Sequence, residues 1–184
     1  PDDTRRIMDK IYVEYFYHRH TEFWKNQALK KLPALVSATN MLVCGEDLGM
    51  VPDSVPEVMH RLEILSLEIQ RMPKKPNTEF AMPADAPYLS VCTTSTHDMN
   101  PTRAWWEEDP ALTQRFYNRA LKIQGPAPEK CDALIAEKII DQHLHSSAML
   151  VILPWQDWMA MDNKLCLKNP NAERINVPSN PRNF

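Results

Sequence analysis

The 184-residue chain contains only three glycines. Glycine is the residue of tight turns and close backbone approach, so each of the few positions is informative. The four cysteines, Cys44, Cys92, Cys131 and Cys166, form no C-x-x-C pair and no cluster of zinc ligands. Cys44 and Cys92 fall inside apolar runs, where thiols act as small buried hydrophobes. Four reduced thiols are therefore expected, and with them a cytoplasmic location. No apolar run approaches the roughly 20 residues needed to span a membrane. The net charge of −3 carries no basic excess, and apolar content is ordinary, which argues against a nucleic-acid binder and a disordered chain. Neither a signal nor a transit peptide is legible after Pro1. The start at Pro1 and the abrupt end at Arg182-Asn183-Phe184 lead us to expect a piece of a longer chain, truncated at both ends.

Two short segments stand out against this background. Cys44-Gly45-Glu46-Asp47-Leu48-Gly49-Met50 and Thr93-Thr94-Ser95-Thr96-His97-Asp98 each follow an apolar, strand-like run and end in or carry carboxylates. Two of the three glycines bracket the first carboxylate pair. Acids at the exits of neighbouring strands are where an α/β barrel places its chemistry, and two carboxylates facing one pocket suit glycosidic-bond chemistry.

The rest of the chain reads as alternating elements. Residues 11–32 predict a helix with Phe16, Phe23, Trp24, Ala28 and Leu32 as an approximate apolar face, limited by Pro33. Met41 to Cys44 is too short for a helix and predicts a buried strand. Asp53 or Ser54 can cap the next helix, Pro56 fits its first turn, and Val55, Val58, Met59 and Leu62 line one face. Ile64 to Met72 alternates as a strand. The unit is strand–helix–strand, which implies parallel strands. The proline-rich stretch from Pro73 to Pro87 reads as a long loop over a surface or an active-site mouth. Further expectations are a strand over 88–94, an excursion over 99–110, a helix through Leu112, Phe116, Ala120 and Ile123 stopped by Gly125-Pro126, a helix from about 128 to 145, and a strand over 148–153. The last sixteen residues, rich in Asn and Pro, read as irregular. The fold class expected is α/β, with about four parallel strands and intervening helices, half of an eight-stranded barrel.

Each candidate site has a plainer alternative. Glu46 and Asp47 are adjacent, so their side chains diverge, and alternation does not decide which enters a barrel mouth. One can be a general acid held protonated by a crowded, partly apolar pocket; alternatively both are turn acids capping the next helix. The hydroxyls of Thr93 to Thr96 can hold His97 and Asp98 in place; alternatively His97-Asp98 only opens an Asx-turn. No spacing motif supports a metal bound by Glu46, His97 and Asp98. Trp105-Trp106 offers a sugar-stacking platform or a core pair, and Trp155 and Trp158, around Gln156-Asp157, offer the same choice. His18-x-His20 and His143-x-His145 lie in helical contexts, where i and i+2 do not share a face, and read as solvated.

The run VCGEDLGMVPDSVPEVM, then STHDM, LPWQDWM and ERINVP, closely resembles the 4-α-glucanotransferases of glycoside hydrolase family 77. The stretch CTTSTHDMNPTRAWWEED is most similar to the plant cytosolic disproportionating type and its bacterial relatives. The resemblance covers essentially the whole chain, in order. It implies the C-terminal part of a catalytic (β/α)8 TIM barrel over residues 1–184. It implies retaining transfer of α-1,4-glucan from maltooligosaccharide or glycogen- or starch-like donors to sugar acceptors such as maltose and glucose. It matches Glu46 to the acid/base, Asp98 to the transition-state stabiliser, His97 to a donor-subsite contact and Asp47 to a supporting residue. Trp105, Trp106, Gln156 and Asp157 are the further candidate sugar contacts. Met99 stands where many relatives carry Asn. The family's aspartate nucleophile comes from an earlier strand, and no matching segment precedes Glu46 here, so this piece alone is expected to be inactive and to need the rest of the barrel upstream. No organic cofactor, metal, nucleic acid or membrane is implied. The rival expectations are a hydrolase of the same barrel type and a non-catalytic α-glucan-binding module.

Overall fold

The computed structural model describes residues 2–49 and 51–177. Met50, the end of the glycine-bracketed segment, lies outside the described residues, as do Pro1 and residues 178–184, which include Pro178 of the last motif and the terminal Arg182-Asn183-Phe184. The chain divides into two compact units, Pro1–Leu67 and Glu68–Phe184.

The first unit opens with one long run of helix: α1 (Asp2–Val13), a π-helical stretch (Glu14–Arg19) and α2 (His20–Ser37). Asp2 and Asp3 place negative charge at the positive end of its dipole. The run passes through Pro33, where the sequence suggested a stop. A proline removes one i→i−4 bond, and the turns on both sides keep theirs. Of the expected apolar face, Phe16, Phe23 and Trp24 are exposed; only Ala28 and Leu32 are half-buried. Helix α3 (Ser54–Arg61) packs on α2, where Lys25 Nζ pairs with Glu57 Oε2 at 2.7 Å. Asp53 occupies its N-cap without a side-chain bond, and the Ser54 hydroxyl donates to Thr21 O instead, so the expected cap is not made. Val58 and Met59 are buried, as the spacing requires.

Helix α3 is the crossover of a parallel pair. Cys44 bridges Leu65 in parallel, with Gly45 N–H donating to Leu65 O at 2.8 Å and Leu65 N–H to Val43 O at 2.9 Å. The first strand is this one bridge, not a buried run: Met41, Leu42 and Cys44 are exposed. Pairing at a single residue fixes the chain there and leaves the preceding apolar side chains uncovered. Strand β1 (Ser66–Ile69) follows and crosses the boundary between the units. It ends three residues earlier than the alternation suggested, because Met72 N–H turns back to Ile69 O.

Among the described residues three strands form the sheet, in the order β1-β2-β3, with β2 (Ser90–Thr93) and β3 (Leu150–Val151) parallel and Val91 opposite Leu150. All four residues of β2 are buried, as befits a central strand covered on both faces. The expected excursion over 99–110 is largely helix, α4 (Thr102–Glu108). Helix α5 (Pro110–Arg119) starts at an N-cap, Asp109, whose carboxylate accepts from Ala111 and Leu112 N–H, with Pro110 at its first position. It ends ahead of Gly125, with Lys122 already in the left-handed region at φ 59°. Asp132 caps α6 (Ala133–Leu144) by accepting from Ile135 N–H at 2.9 Å. A short α7 (Trp155–Met159) leaves β3, and a 3-10 turn covers Pro170–Glu173.

The core of this unit is Trp106, Phe116, Ala120, Leu121, Ile135 and Ile139 with their neighbours. The Pro73–Pro87 loop covers it. Phe80 meets Phe116 edge-on at 5.0 Å, and Glu79 pairs with Arg115 and Arg119 of α5. The loop is thus a lid on the helical core. His143 belongs to the same interior, contrary to the expectation of solvation. It continues the buried face of α6 formed by Ile135, Ala136, Ile139 and Ile140, and its Nδ1–H donates to Ile139 O at 2.7 Å. Burial pushes its imidazole pKa down.

Candidate active site

The two carboxylate segments lie one in each unit. In the first, the backbone past the Cys44 bridge turns through Gly49, whose φ of +81° few other residues adopt. Asp47 is buried and its Oδ1 accepts from Leu67 N–H at 3.0 Å, tying the loop to β1. Glu46 is exposed, with Oε1 accepting from Leu48 N–H at 2.9 Å. The crowded pocket expected around Glu46 is therefore not formed by its own unit. Burial separates the adjacent acids: Asp47 is a fastener and Glu46 presents a carboxylate to solvent.

In the second unit β2 delivers the loop that carries His97 and Asp98. Both side chains are exposed, and His97 Nε2 lies 3.4 Å from Asp98 Oδ2. The hydroxyls ahead of them are structural. Thr93 Oγ1 donates to Ser95 O at 3.0 Å, and the Thr94 hydroxyl donates to the buried Asp157 carboxylate. That carboxylate also accepts from Thr102 N–H at 3.0 Å, at the start of α4. Asp157 thus has each oxygen engaged in the interior and is no sugar contact.

The tail beyond the 3-10 turn returns to the same loop. Glu173, almost fully buried, pairs with Arg103 at 2.5 Å and accepts from Leu167 N–H. Gln156 Nε2 donates to Glu173 O at 3.2 Å. Moored there, the chain extends Arg174, whose Nη2 donates to Asp98 O at 2.8 Å and whose Nε donates to Asn176 O at 2.8 Å. The Asn176 side-chain amide donates to Asp98 Oδ1. One oxygen of Asp98 is thus fixed by an amide and the other faces His97. His97, Met99, Gln156 and Ile175 are among the residues lining a cleft of about 30 Å³, which has room for water and not for a sugar ring.

The tryptophan pair is not a stacking platform. Trp106 is buried in the core with its Nε1–H on Pro128 O at 2.8 Å. Trp105 packs edge-on against Phe116 at 5.0 Å, and one face lies beneath the Arg71 guanidinium, 4.9 Å from its centroid. Helix α4 buries Thr102, Ala104 and Trp106, and of these Thr102 and Trp106, four residues apart, share a face. Among the described residues no cluster of three metal-ligating side chains occurs, and no helix is long and apolar enough to cross a membrane.

Sequence reasoning missed Arg71, Arg174 and Asn176. The last two lie in the ERINVP run, so a signal existed without a role attached to it. Arg71 follows an alternating strand in a turn, and nothing local marks it.

These features define a class: an α/β fold with a small parallel sheet whose strands open into carboxylate-bearing loops. The fold is similar to that of the amylomaltase from Streptococcus agalactiae, solved in complex with acarbose, at a TM-score of 0.56 and 15% identity over 74% of this chain and 25% of that one. In sequence, the chain is 38% identical over 183 residues to the 4-alpha-glucanotransferase DPE2 of Oryza sativa subsp. japonica, covering all of this chain and 19% of the rice protein. It is 29% identical over 154 residues to a 4-alpha-glucanotransferase of Chlamydia pneumoniae, 83% of this chain and 29% of that protein. The family model described as 4-alpha-glucanotransferase, glycoside hydrolase family 77, matches residues 1–184, and the chain belongs to that family. It spans less than a third of the length of these relatives.

Proposed function

We propose that residues 1–184 form part of the catalytic (β/α)8 barrel of a cytoplasmic 4-alpha-glucanotransferase that moves α-1,4-glucan segments or glucosyl units from maltooligosaccharide or glycogen-like donors to sugar acceptors. The observation that carries this is the family match along the whole chain. The parallel Cys44–Leu65 and β2–β3 pairings support the barrel reading.

In this reading Glu46 and Asp98 are the two carboxylates that this chain brings to the reaction. Glu46 gives its proton to the leaving sugar oxygen and then, as carboxylate, takes a proton from the acceptor hydroxyl. Its Oε1 rests on Leu48 N–H, which leaves Oε2 for the transfer. The nucleophile is an aspartate from another segment of the full protein, about 5–5.5 Å from Glu46 as retention requires. Asp98, oriented by the Asn176 amide on its carboxylate and by Arg174 on its backbone carbonyl, faces the oxocarbenium charge. His97, exposed beside it, contacts the sugar in the donor subsite, and Gln156 lines the approach. Acceptor sugar must displace water for transfer to outrun hydrolysis.

The test is product analysis with maltotriose on the full-length protein carrying these residues. Glucose together with longer oligosaccharides is the expected outcome. Shorter sugars alone would make it a hydrolase, and binding without turnover a glucan-binding module.

A further inference from the structure

The loop from Ser95 to Met99 carries His97 and Asp98, and its two ends are gripped by a residue outside every motif so far discussed. Arg71, in the turn after β1, donates from Nε and Nη2 to Thr94 O at 3.1 and 3.0 Å, and from Nη2 to Asn100 O at 2.9 Å. Those two carbonyls stand on either side of the loop. The guanidinium sits over Trp105, whose centroid lies 4.9 Å from its Cζ, and Trp105 packs edge-on against Phe116 in turn. From the opposite charge, Asp157 holds the Thr94 hydroxyl and the Thr102 amide. A half-buried cation and a buried anion therefore hold the feet of the same loop.

We propose that Arg71 is a positioning residue, which fixes both ends of the loop and thereby sets where the Asp98 carboxylate stands. This rests on the reading of Asp98 as transition-state stabiliser. Burial pushes the Arg71 guanidinium down to about 10, so it stays charged at neutral pH. Its fork is what the geometry uses: one planar group reaches two carbonyls and sits over an indole. A lysine ammonium keeps the charge but has neither the fork nor the plane.

The experiment compares Arg71→Lys and Arg71→Gln in the full-length protein. Amide hydrogen exchange is read over residues 95–100 and, as an internal control, over α6. Steady-state kinetics on maltotriose are expressed per folded molecule. The expected result is faster exchange at 95–100 with α6 unchanged. A misplaced group costs up to about 10²-fold, so kcat should fall about 10- to 100-fold. KM should move by no more than about three-fold, the mark of an interaction made in the transition state. Lysine should recover only a minor part of the loss. A purely structural role would lower the thermal midpoint and leave kcat per folded molecule intact. Unchanged exchange at 95–100 overturns the proposal, and so does faster exchange with kcat within about three-fold of wild type. If the unaltered protein makes no transfer product, the function is wrong, while the exchange data still decide whether Arg71 holds the loop.

Discussion

Glu46 and Asp98 reach solvent by different means, and the difference sets what their substitution does. Glu46 is exposed and accepts from Leu48 N–H at 2.9 Å, so Glu46→Gln is expected to fold normally. Its expected loss in kcat is the share of a general acid, about 10²–10⁴-fold, checked with maltooligosaccharides in the full-length protein. Asp157 behaves oppositely. Asp157→Ala strands the Thr94 hydroxyl and the Thr102 amide in the interior, at about 1–3 kcal/mol for each unpaired group, measurable by chemical denaturation. His143 gives a pH dependence. Its folded pKa lies below the ordinary 6.5, so between those values the unfolded chain binds the extra proton. Stability from this residue is then complete above about pH 6.5 and lost as pH falls below it. His143→Gln should flatten that part of the curve. Of these residues, the sequence motifs picked out Glu46 and Asp98 by their position after apolar runs. Asp157 was picked out for the wrong reason, because a motif cannot tell a carboxylate that binds substrate from one that binds its own fold.

Elements were legible where one periodicity ruled. The buried faces of α3 and α6 follow from i, i+3, i+4 spacing, and β2 from an unbroken buried run. His143 was readable on the same count, since it lies four residues after Ile139. Legibility failed where tertiary contacts decide. The strand at Cys44 shrinks to a bridge, Pro33 is absorbed into α2, and the proline-rich loop folds onto α5. The Arg103–Glu173 pair is a test at this scale. It joins α4 to the tail that reaches Asp98, with side chains only 15% and 3% exposed. Breaking such a pair from one side leaves a buried charge and costs about 3–5 kcal/mol. Glu173→Ala is therefore expected to lower the denaturation midpoint sharply, whereas disrupting the exposed Arg119–Glu79 pair by Arg119→Ala should cost under about 1 kcal/mol.

At the scale of the whole molecule, retaining transfer needs a nucleophile as well as Glu46 and Asp98. Asp2, Asp3 and Asp9 all lie on α1, and none stands at a strand exit. The 184 residues expressed alone are expected to show no transglycosylation, because no glycosyl-enzyme can form without a nucleophile. Ile7, Ile11, Phe16, Phe23 and Trp24 are exposed on the long helical run, so the isolated chain should self-associate in sedimentation. The central claim is that Glu46 is the acid/base of a glucan transferase. It is tested most directly by incubating the full-length protein and its Glu46→Gln variant with maltotriose and resolving the products. The account predicts glucose and oligosaccharides longer than maltotriose from the unaltered protein, and from the folded variant at least about a hundred-fold less. Equal product from both would contradict it.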